Sequence, residues 1–319
     1  MYIAALDIGG TKTIAAVVDE KGQVCEKQVF PTFVANSYLH LDKCVLALQD
    51  LFSRIGISAS SLPGIGVSLP GIVNSEEGVL LYAPYSEWSN VAIADYLSGK
   101  LNIEKVFCEN DVNACAIGEQ MFGLGKKYRD FVWMTVSTGV GGAVVVNSEL
   151  VKGAHGFAGE LGHLKVEYIN PARCPCGQYG CMEAHASGTA IDSVIQQRIK
   201  TDPTFARLFS AASAEPNGIE CEKLARAGNK DALKVFEQVG TYLGRGISYC
   251  VNILNTQAVI IGGGVAVALD LLLPGIRLAV KESVFEKMQD FEVVQTPLGY
   301  DAALLGAAAL VMQARRRIS

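Results

Sequence analysis

The chain has 319 residues; half are hydrophobic, 18% are charged, and the formal net charge is -5. That length allows two domains with sizeable cores, and the composition excludes a long disordered tail. The acidic balance argues against a broad nucleic-acid-binding face, and the longest apolar run, residues 302–312, is too short to span a bilayer.

Residues 2–6 form an apolar run of β type that ends in Asp7-Ile-Gly9-Gly10-Thr11-Lys12. Asp7 interrupts the apolar start almost at once, so no signal peptide is expected. A second β run at 13–18, a turn at 19–22 and a third run at 23–30 complete a glycine-rich hairpin. Helical periodicity follows over 39–52. A strand over 106–108 then gives way to a helix over 112–121, through Glu109-Asn110-Asp111-Val112-Asn113-Ala114.

The hairpin pattern returns as a β run at 131–136, then Ser137-Thr138-Gly139-Val140-Gly141-Gly142, then a β run at 143–146. Two strand–glycine-turn–strand units predict an internally duplicated α/β architecture, a pair of domains facing a cleft. The expected boundary lies near residue 120. A smaller domain over 1–120 is completed by a C-terminal helix over 301–319, and a larger one covers 121–300. Neither unit is a dinucleotide fingerprint, because no GxGxxG precedes a helix, and no GxxxxGK[ST] occurs. A long helix over 231–254 is expected to turn Leu233, Phe236, Val239, Leu243, Ile247 and Val251 to the core. A third glycine turn, Gly262-Gly263-Gly264, follows the apolar run 258–261. Residues 302–312 read as a buried helix and Arg315-Arg316-Arg317 as its solvated end, where cations suit the helix dipole.

Of nine cysteines, Cys25, Cys44, Cys108, Cys115, Cys221 and Cys250 are scattered and read as reduced residues of a cytoplasmic protein. The other three, Cys174, Cys176 and Cys181, follow His163 closely among glycines and prolines. This is the ligand set of a closed Cys3His zinc site, structural because it leaves no open position. A disulfide network would need an oxidising compartment, and Cys174 and Cys176 are too close in sequence to bridge comfortably. The alternative is three buried cysteines beside a hydrogen-bonded histidine. A zinc ion here would hold Glu160 and Glu183, the carboxylates at either end of the stretch.

Asn110 and Asp111 stand at a strand-to-helix junction, where Asn and Asp cap best. Asp111 is therefore either an N-cap or a carboxylate held to take a proton from a substrate hydroxyl. The glycine turns are either plain hairpins or cradles of hydroxyls and N–H groups for phosphate oxygens. Asp7 is an apt partner for magnesium, directly or through water.

Asp7-x-Gly9-Gly10-Thr11-Lys12, Leu69-Pro70-Gly71, Glu109-Asn110-Asp111-x-Asn113-Ala114, Ser137-Thr138-Gly139-x-Gly141-Gly142, Glu160-x-Gly-His163 and the cluster from Cys174 to Glu183 occur in that order. Together they resemble the repressor/open-reading-frame/kinase (ROK) family of sugar kinases, across nearly the whole chain. The resemblance implies a two-domain actin/hexokinase-like (ribonuclease H-like) fold and an ATP-dependent kinase acting on the 6-hydroxyl of a hexose. Glucose is the expected sugar; N-acetylmannosamine, N-acetylglucosamine and fructose are the alternatives. It implies Asp111 as catalytic base, and Gly71, Asn110, Glu160, His163 and Glu183 around the sugar. Asp7, Gly9, Gly10, Thr11, Lys12, Ser137, Thr138, Gly139 and Gly263 would meet the nucleotide. His163, Cys174, Cys176 and Cys181 would hold structural zinc, magnesium would accompany ATP, and the protein would be a homodimer with neither nucleic acid nor membrane as partner. A sugar-sensing regulator is the other function class in the family; its members carry an N-terminal helix-turn-helix, for which the glycine turn at residue 9 leaves no room. The loop from Ser86 to Val91 departs from the Asn-Leu-Gly form of other members.

Overall fold

The computed structural model describes residues 1–211 and 215–316; Arg317, at the end of the expected basic run, lies outside them. The chain divides into two compact units. The first comprises Met1–Tyr128, Leu150–Ala158 and Pro297–Ser319, and the second Arg129–Glu149 and Gly159–Thr296. Residues 121–128, 150–158 and 297–300, expected with the larger domain, therefore belong to the first unit.

The first unit opens with strands β1 (Tyr2–Ile8), β2 (Lys12–Asp19) and β3 (Val24–Pro31), then helix α1 (Ser37–Ile55) and strand β4 (Ile65–Leu69). A small antiparallel sheet, β5 (Ile72–Asn74), β6 (Val79–Tyr82) and β7 (Ser89–Ala92), leads to α2 (Ile93–Leu101), β8 (Val106–Asn110) and α3 (Asp111–Phe122). The main sheet has the order β3-β2-β1-β4-β8. β1 pairs antiparallel with β2 and parallel with β4, and β4 pairs parallel with β8. β1, β2 and β4 are covered on both faces, so they read as continuous apolar runs; the edge strand β3 alternates. α1 begins where the Asn36 side chain accepts the Leu39 N–H at 3.0 Å and ends at Gly56, whose φ of 71° lets the chain leave the helix.

The second unit repeats this plan. It holds β9 (Phe131–Val136), β10 (Val140–Val146) and β11 (Glu149–Leu150, whose second residue is already assigned to the first unit), then α4 (Met182–Ala186), α5 (Gly188–Thr201), α6 (Pro203–Ala211), α7 (Gly218–Arg226) and α8 (Lys230–Leu254). β12 (Ala258–Gly262), α9 (Leu269–Ser283) and β13 (Glu292–Gln295) complete it. Its sheet has the order β11-β10-β9-β12-β13, with β9 antiparallel to β10, parallel to β12, and β12 parallel to β13. The two sheets thus share one topology, and in each the central hairpin closes through a three-residue turn, Gly9-Gly10-Thr11 or Ser137-Thr138-Gly139. Val140, Gly141 and Gly142, expected in the second turn, already belong to β10.

The chain ends in a helix, Ala302–Arg316, that packs against α3 and β4 of the first unit. Its alanines are explained by close approach: a Cβ on Gly306 would lie 1.9 Å from the Ala114 carbonyl oxygen, so only small residues fit. The long helix α8 buries Phe236, Val239, Leu243, Ile247 and Val251 as expected, but Leu233 is 36% exposed in the first turns, where Ala232 and Val235 face the core instead. Among the described residues no helix is long and apolar enough to cross a membrane.

α8 and α9 touch backbone to backbone: a Cβ on Gly240 would lie 2.1 Å from Leu272 O, and one on Gly275 2.0 Å from Glu237 O. Gly240→Ala should therefore destabilise the protein by about 1–3 kcal/mol through overpacking, although alanine is the better helix former by about 1 kcal/mol. Urea unfolding measures this; an unchanged or raised midpoint would mean that the helices can separate at no cost.

Candidate functional site

In the first unit three parallel strands, β1, β4 and β8, bring their carboxyl ends together, the usual place for a site in an α/β sheet. Asp7 lies beside Ser68 in the ladder, and Ser68 beside Glu109. The Ser68 hydroxyl donates to Asp7 Oδ1 at 3.0 Å. Burial raises the Asp7 carboxyl to about 6, while the Ser68 bond and the Lys12 charge work against the rise.

At the start of α3, Asn110 is the cap. Its Oδ1 accepts the N–H groups of Val112 at 3.0 Å and Asn113 at 3.2 Å, and its Nδ2 donates to the Gly71 carbonyl at 3.0 Å. Asp111 is bonded locally, its Oδ1 accepting the Val112 N–H at 3.0 Å. Its carboxyl is raised to about 7, first by burial and then by the charge of Asp7, against the bonds from the Val112 and Asp111 N–H groups and the Asn110 side chain. The choice between cap and poised carboxylate is thus divided between neighbours: Asn110 caps, and Asp111 is left as a carboxylate that titrates near neutrality.

The Gly9-Gly10-Thr11 turn draws its carbonyl groups inward. Gly9 O accepts the Thr32 hydroxyl at 2.7 Å, Thr11 O accepts the Thr32 N–H at 3.0 Å, and Lys12 O accepts the Gly9 N–H at 2.9 Å. The N–H groups of Gly10 and Thr11 have no protein partner among the described residues. Thr11 and Lys12 are exposed beside them.

The second unit builds the same device with other residues. Ser137 O accepts the Gly188 N–H at 2.7 Å, Thr138 O accepts the Thr189 hydroxyl at 2.8 Å, and Gly139 O accepts the Ser137 N–H at 2.9 Å. Gly263, at the carboxyl end of the neighbouring strand β12, has φ 89° and leaves no room for a side chain, since a Cβ would lie 2.3 Å from Val136 O. Glu183 closes the back of the turn, its Oε2 accepting the Val140 N–H at 3.1 Å.

Glu183 also reaches the cysteine cluster, with Cys174 Sγ 3.7 Å from its Oε1. His163, Cys174, Cys176 and Cys181 offer four ligand atoms within 4.8 Å of one another. Cys176 and Cys181 sulfurs are 3.8 Å apart, far beyond a disulfide bond, and Cys174 Sγ is 3.8 Å from His163 Nδ1. Sulfurs bound tetrahedrally to zinc at about 2.3 Å stand about 3.8 Å apart, so the donor set fits that ion. The other ring nitrogen, His163 Nε2, faces Glu160 Oε2 at 3.7 Å. Glu160 is otherwise exposed.

The ROK family profile matches residues 3–314. The chain belongs to the ROK family. A glucokinase of Thermotoga maritima is 32% identical over 322 residues, 98% of either chain. A ROK family glucokinase from Streptomyces griseus, solved in complex with glucose and AMPPNP, has TM-score 0.82 and 29% identity over 98% of this chain and 100% of that one. A xylose repressor of Bacillus spizizenii is 28% identical over 313 residues, 98% of this chain and 77% of its own. The glucokinase relatives support a sugar kinase, and the repressor shows that regulators of this family share the same stretch of chain.

Two groups in this ROK-family chain escape sequence reasoning. Glu109 is buried, and its carboxylate accepts Lys152 Nζ at 2.7 Å, the Ser75 hydroxyl at 3.0 Å, the Asn110 N–H at 3.0 Å and Asn113 Nδ2 at 3.2 Å. A carboxylate so fully bonded orders the loop that carries Asn110 and Asp111. Its place between an apolar strand and a helix hints at this, but nothing in the sequence marks Lys152, a half-exposed lysine far along the chain. Thr189 and Gly188 likewise hold the second turn without any motif to announce them.

Raising the Asp111 carboxyl means that the folded protein holds its proton more tightly than the unfolded chain does. The stability this lends is full below the ordinary value of 3.8 and is lost as pH rises toward 7. Asp7 adds to the same loss up to about 6. Asp111→Asn should flatten the fall in unfolding free energy between about pH 4 and pH 7, and should leave the variant more stable than the parent at the upper end. Urea titrations in magnesium-free buffer check this; parallel curves would show that Asp111 holds no extra proton in the fold.

Proposed function

We propose that this chain is an ATP-dependent hexose kinase that transfers the γ-phosphoryl group to the sugar 6-hydroxyl, with glucose as the sugar. The observation that carries the reading is Asp111, relieved of capping by Asn110 and raised to about 7 by burial and Asp7. A base with that affinity for protons suits removal of a hydroxyl proton near neutral pH. Phosphoryl transfer asks mainly for positioning and charge neutralisation. The Gly10 and Thr11 N–H groups and Lys12 would take phosphate oxygens, and Ser137, Thr138, Gly139 and Gly263 are the other residues assigned to the nucleotide. Magnesium accompanying ATP would be held by Asp7, directly or through water, and would neutralise phosphate charge.

Gly71, Asn110, Glu160, His163 and Glu183 would read the sugar hydroxyls. A site built of such polar groups rejects a sugar that leaves one of them unmatched. Zinc would be bound by His163, Cys174, Cys176 and Cys181, where it orients the His163 ring and, through Cys174, the neighbourhood of Glu183. The homodimer implied by the family resemblance belongs to the same proposal.

Steady-state kinetics with magnesium-ATP should give the highest kcat/KM with glucose among glucose, N-acetylmannosamine, N-acetylglucosamine and fructose. No turnover with any hexose would overturn the kinase reading, and a preference for another sugar would overturn glucose alone. Asp111→Asn should lose turnover on the order of 10²-fold or more while sugar binding survives, because the amide still bonds the hydroxyl.

Metal analysis by mass spectrometry should find one zinc per chain. Cys176→Ser should remove it and lower both the melting temperature and sugar affinity. A metal content near zero in an active preparation dialysed against chelator would sink the zinc assignment.

A further inference from the structure

Beneath the Gly9-Gly10-Thr11 turn lies a chain of polar side chains that none of the roles above uses. His40 and Thr13 are fully buried. The Phe33 N–H donates to His40 Nδ1 at 3.2 Å, so that nitrogen carries no proton and the neutral ring has its hydrogen on Nε2. Nε2–H then donates to Thr13 Oγ1 at 2.8 Å, and the Thr13 hydroxyl donates to Thr32 Oγ1 at 2.8 Å. The Thr32 hydroxyl ends the chain on Gly9 O at 2.7 Å. A backbone donor at one end and a backbone acceptor at the other permit a single proton order. The His40 ring is packed by Phe30 and Trp88, with ring centres 5.8 and 5.4 Å away. Burial, helped by the Lys43 charge, lowers its pKa to about 4, so the neutral form prevails near neutrality.

We propose that His40, Thr13 and Thr32 are positioning residues for nucleotide phosphate: their relay holds the Gly9 carbonyl inward, so that the free Gly10 and Thr11 N–H groups present to an anion. This rests on the nucleotide role proposed for the turn. If the Gly9 carbonyl swung outward, its oxygen would face the phosphate and repel it. Thr32 is the decisive link, because its hydroxyl holds Gly9 O and its own N–H holds Thr11 O at 3.0 Å.

Thr32→Val keeps the shape and the N–H but breaks the relay; Thr32→Ser restores the hydroxyl. With Thr32→Val the KM for magnesium-ATP and the Kd for ADP should rise on the order of tenfold, the scale of a lost hydrogen bond with its partner left unpaired. KM for the sugar and binding of adenosine, which has no phosphate, should not move, and Thr32→Ser should behave as the parent. Hydrogen exchange at Gly9 and Thr32, whose N–H groups are bonded to Lys12 O and Thr11 O, should be faster in Thr32→Val alone in the ligand-free protein. Should that variant fold poorly, Thr13→Val interrupts the relay one link further in, with the same expected split. An unchanged Kd for ADP, equal weakening of ADP and adenosine, or exchange identical to the parent would overturn the proposal. A parent protein that phosphorylates no sugar overturns the proposed function instead, and the exchange and ADP measurements still decide the relay.

Discussion

A carbonyl oxygen at the end of a buried strand has to find a donor, and the donor it finds decides which way the next N–H groups point. At both hairpin turns the donors come from beneath: Thr32 and Gly9 in the first unit, Gly188, Thr189 and Ser137 in the second. With the oxygens drawn in, neighbouring N–H groups are left for something outside the protein. The outward N–H groups of these turns are therefore a consequence of how their oxygens are satisfied. Glycine makes such turns compact, but the hydroxyl and amide donors below give them polarity. Two unrelated sets of donors reach the same result on two copies of one sheet topology.

The same accounting explains the three adjacent polar residues after β8. Glu109 is buried and collects four donors, Asn110 satisfies the first N–H groups of α3, and Asp111 retains an acceptor that no tertiary partner among the described residues consumes. Each residue is defined by what its neighbours have already taken. If Asn110 did not cap, the exposed N–H groups of α3 would draw the Asp111 carboxylate and hold it ionised. Instead burial and the nearby charge of Asp7 dominate, and the carboxyl moves toward neutrality. A free carboxylate at this junction thus depends on the amide before it.

What was legible in the sequence was what is local. The runs of β1, β2 and β9, the helices α1, α3 and α8, and the ligand set from His163 to Cys181 could be read because their partners lie a few residues away. The cap and the carboxylate could not be told apart, since Asn and Asp serve equally at that position and only the side-chain geometry separates them. Leu233 fits the periodic stripe of α8 yet sits in its first turns, where Ala232, Val235 and Phe236 face the core instead. Partners distant in the chain left no trace: Lys152 for Glu109, His40 for Thr13, Thr189 for Thr138. Each is an ordinary residue in an ordinary helix or loop until the fold brings it to its acceptor. The motifs are made of neighbouring residues and are silent about the distant ones that hold them in place.

The cysteine cluster shows how far such aiming extends within one unit. His163 turns Nδ1 toward Cys174 Sγ at 3.8 Å and leaves Nε2 3.7 Å from Glu160 Oε2. Cys174 in turn lies against Glu183, and Glu183 accepts the Val140 N–H at the end of the Ser137-Thr138-Gly139 turn. A metal ion that fixed Cys174 would also limit where the Glu183 carboxylate can go, and hence how firmly that turn is backed. Gly139 adds a steric reason: a Cβ there would lie 2.4 Å from Glu183 Oε2, so turn and carboxylate are packed as one piece. A metal in this position would bear on Glu183 and on the Ser137-Thr138-Gly139 turn together. A closed ligand set suits that task better than an open one, since an exchangeable ligand would let the orientation drift.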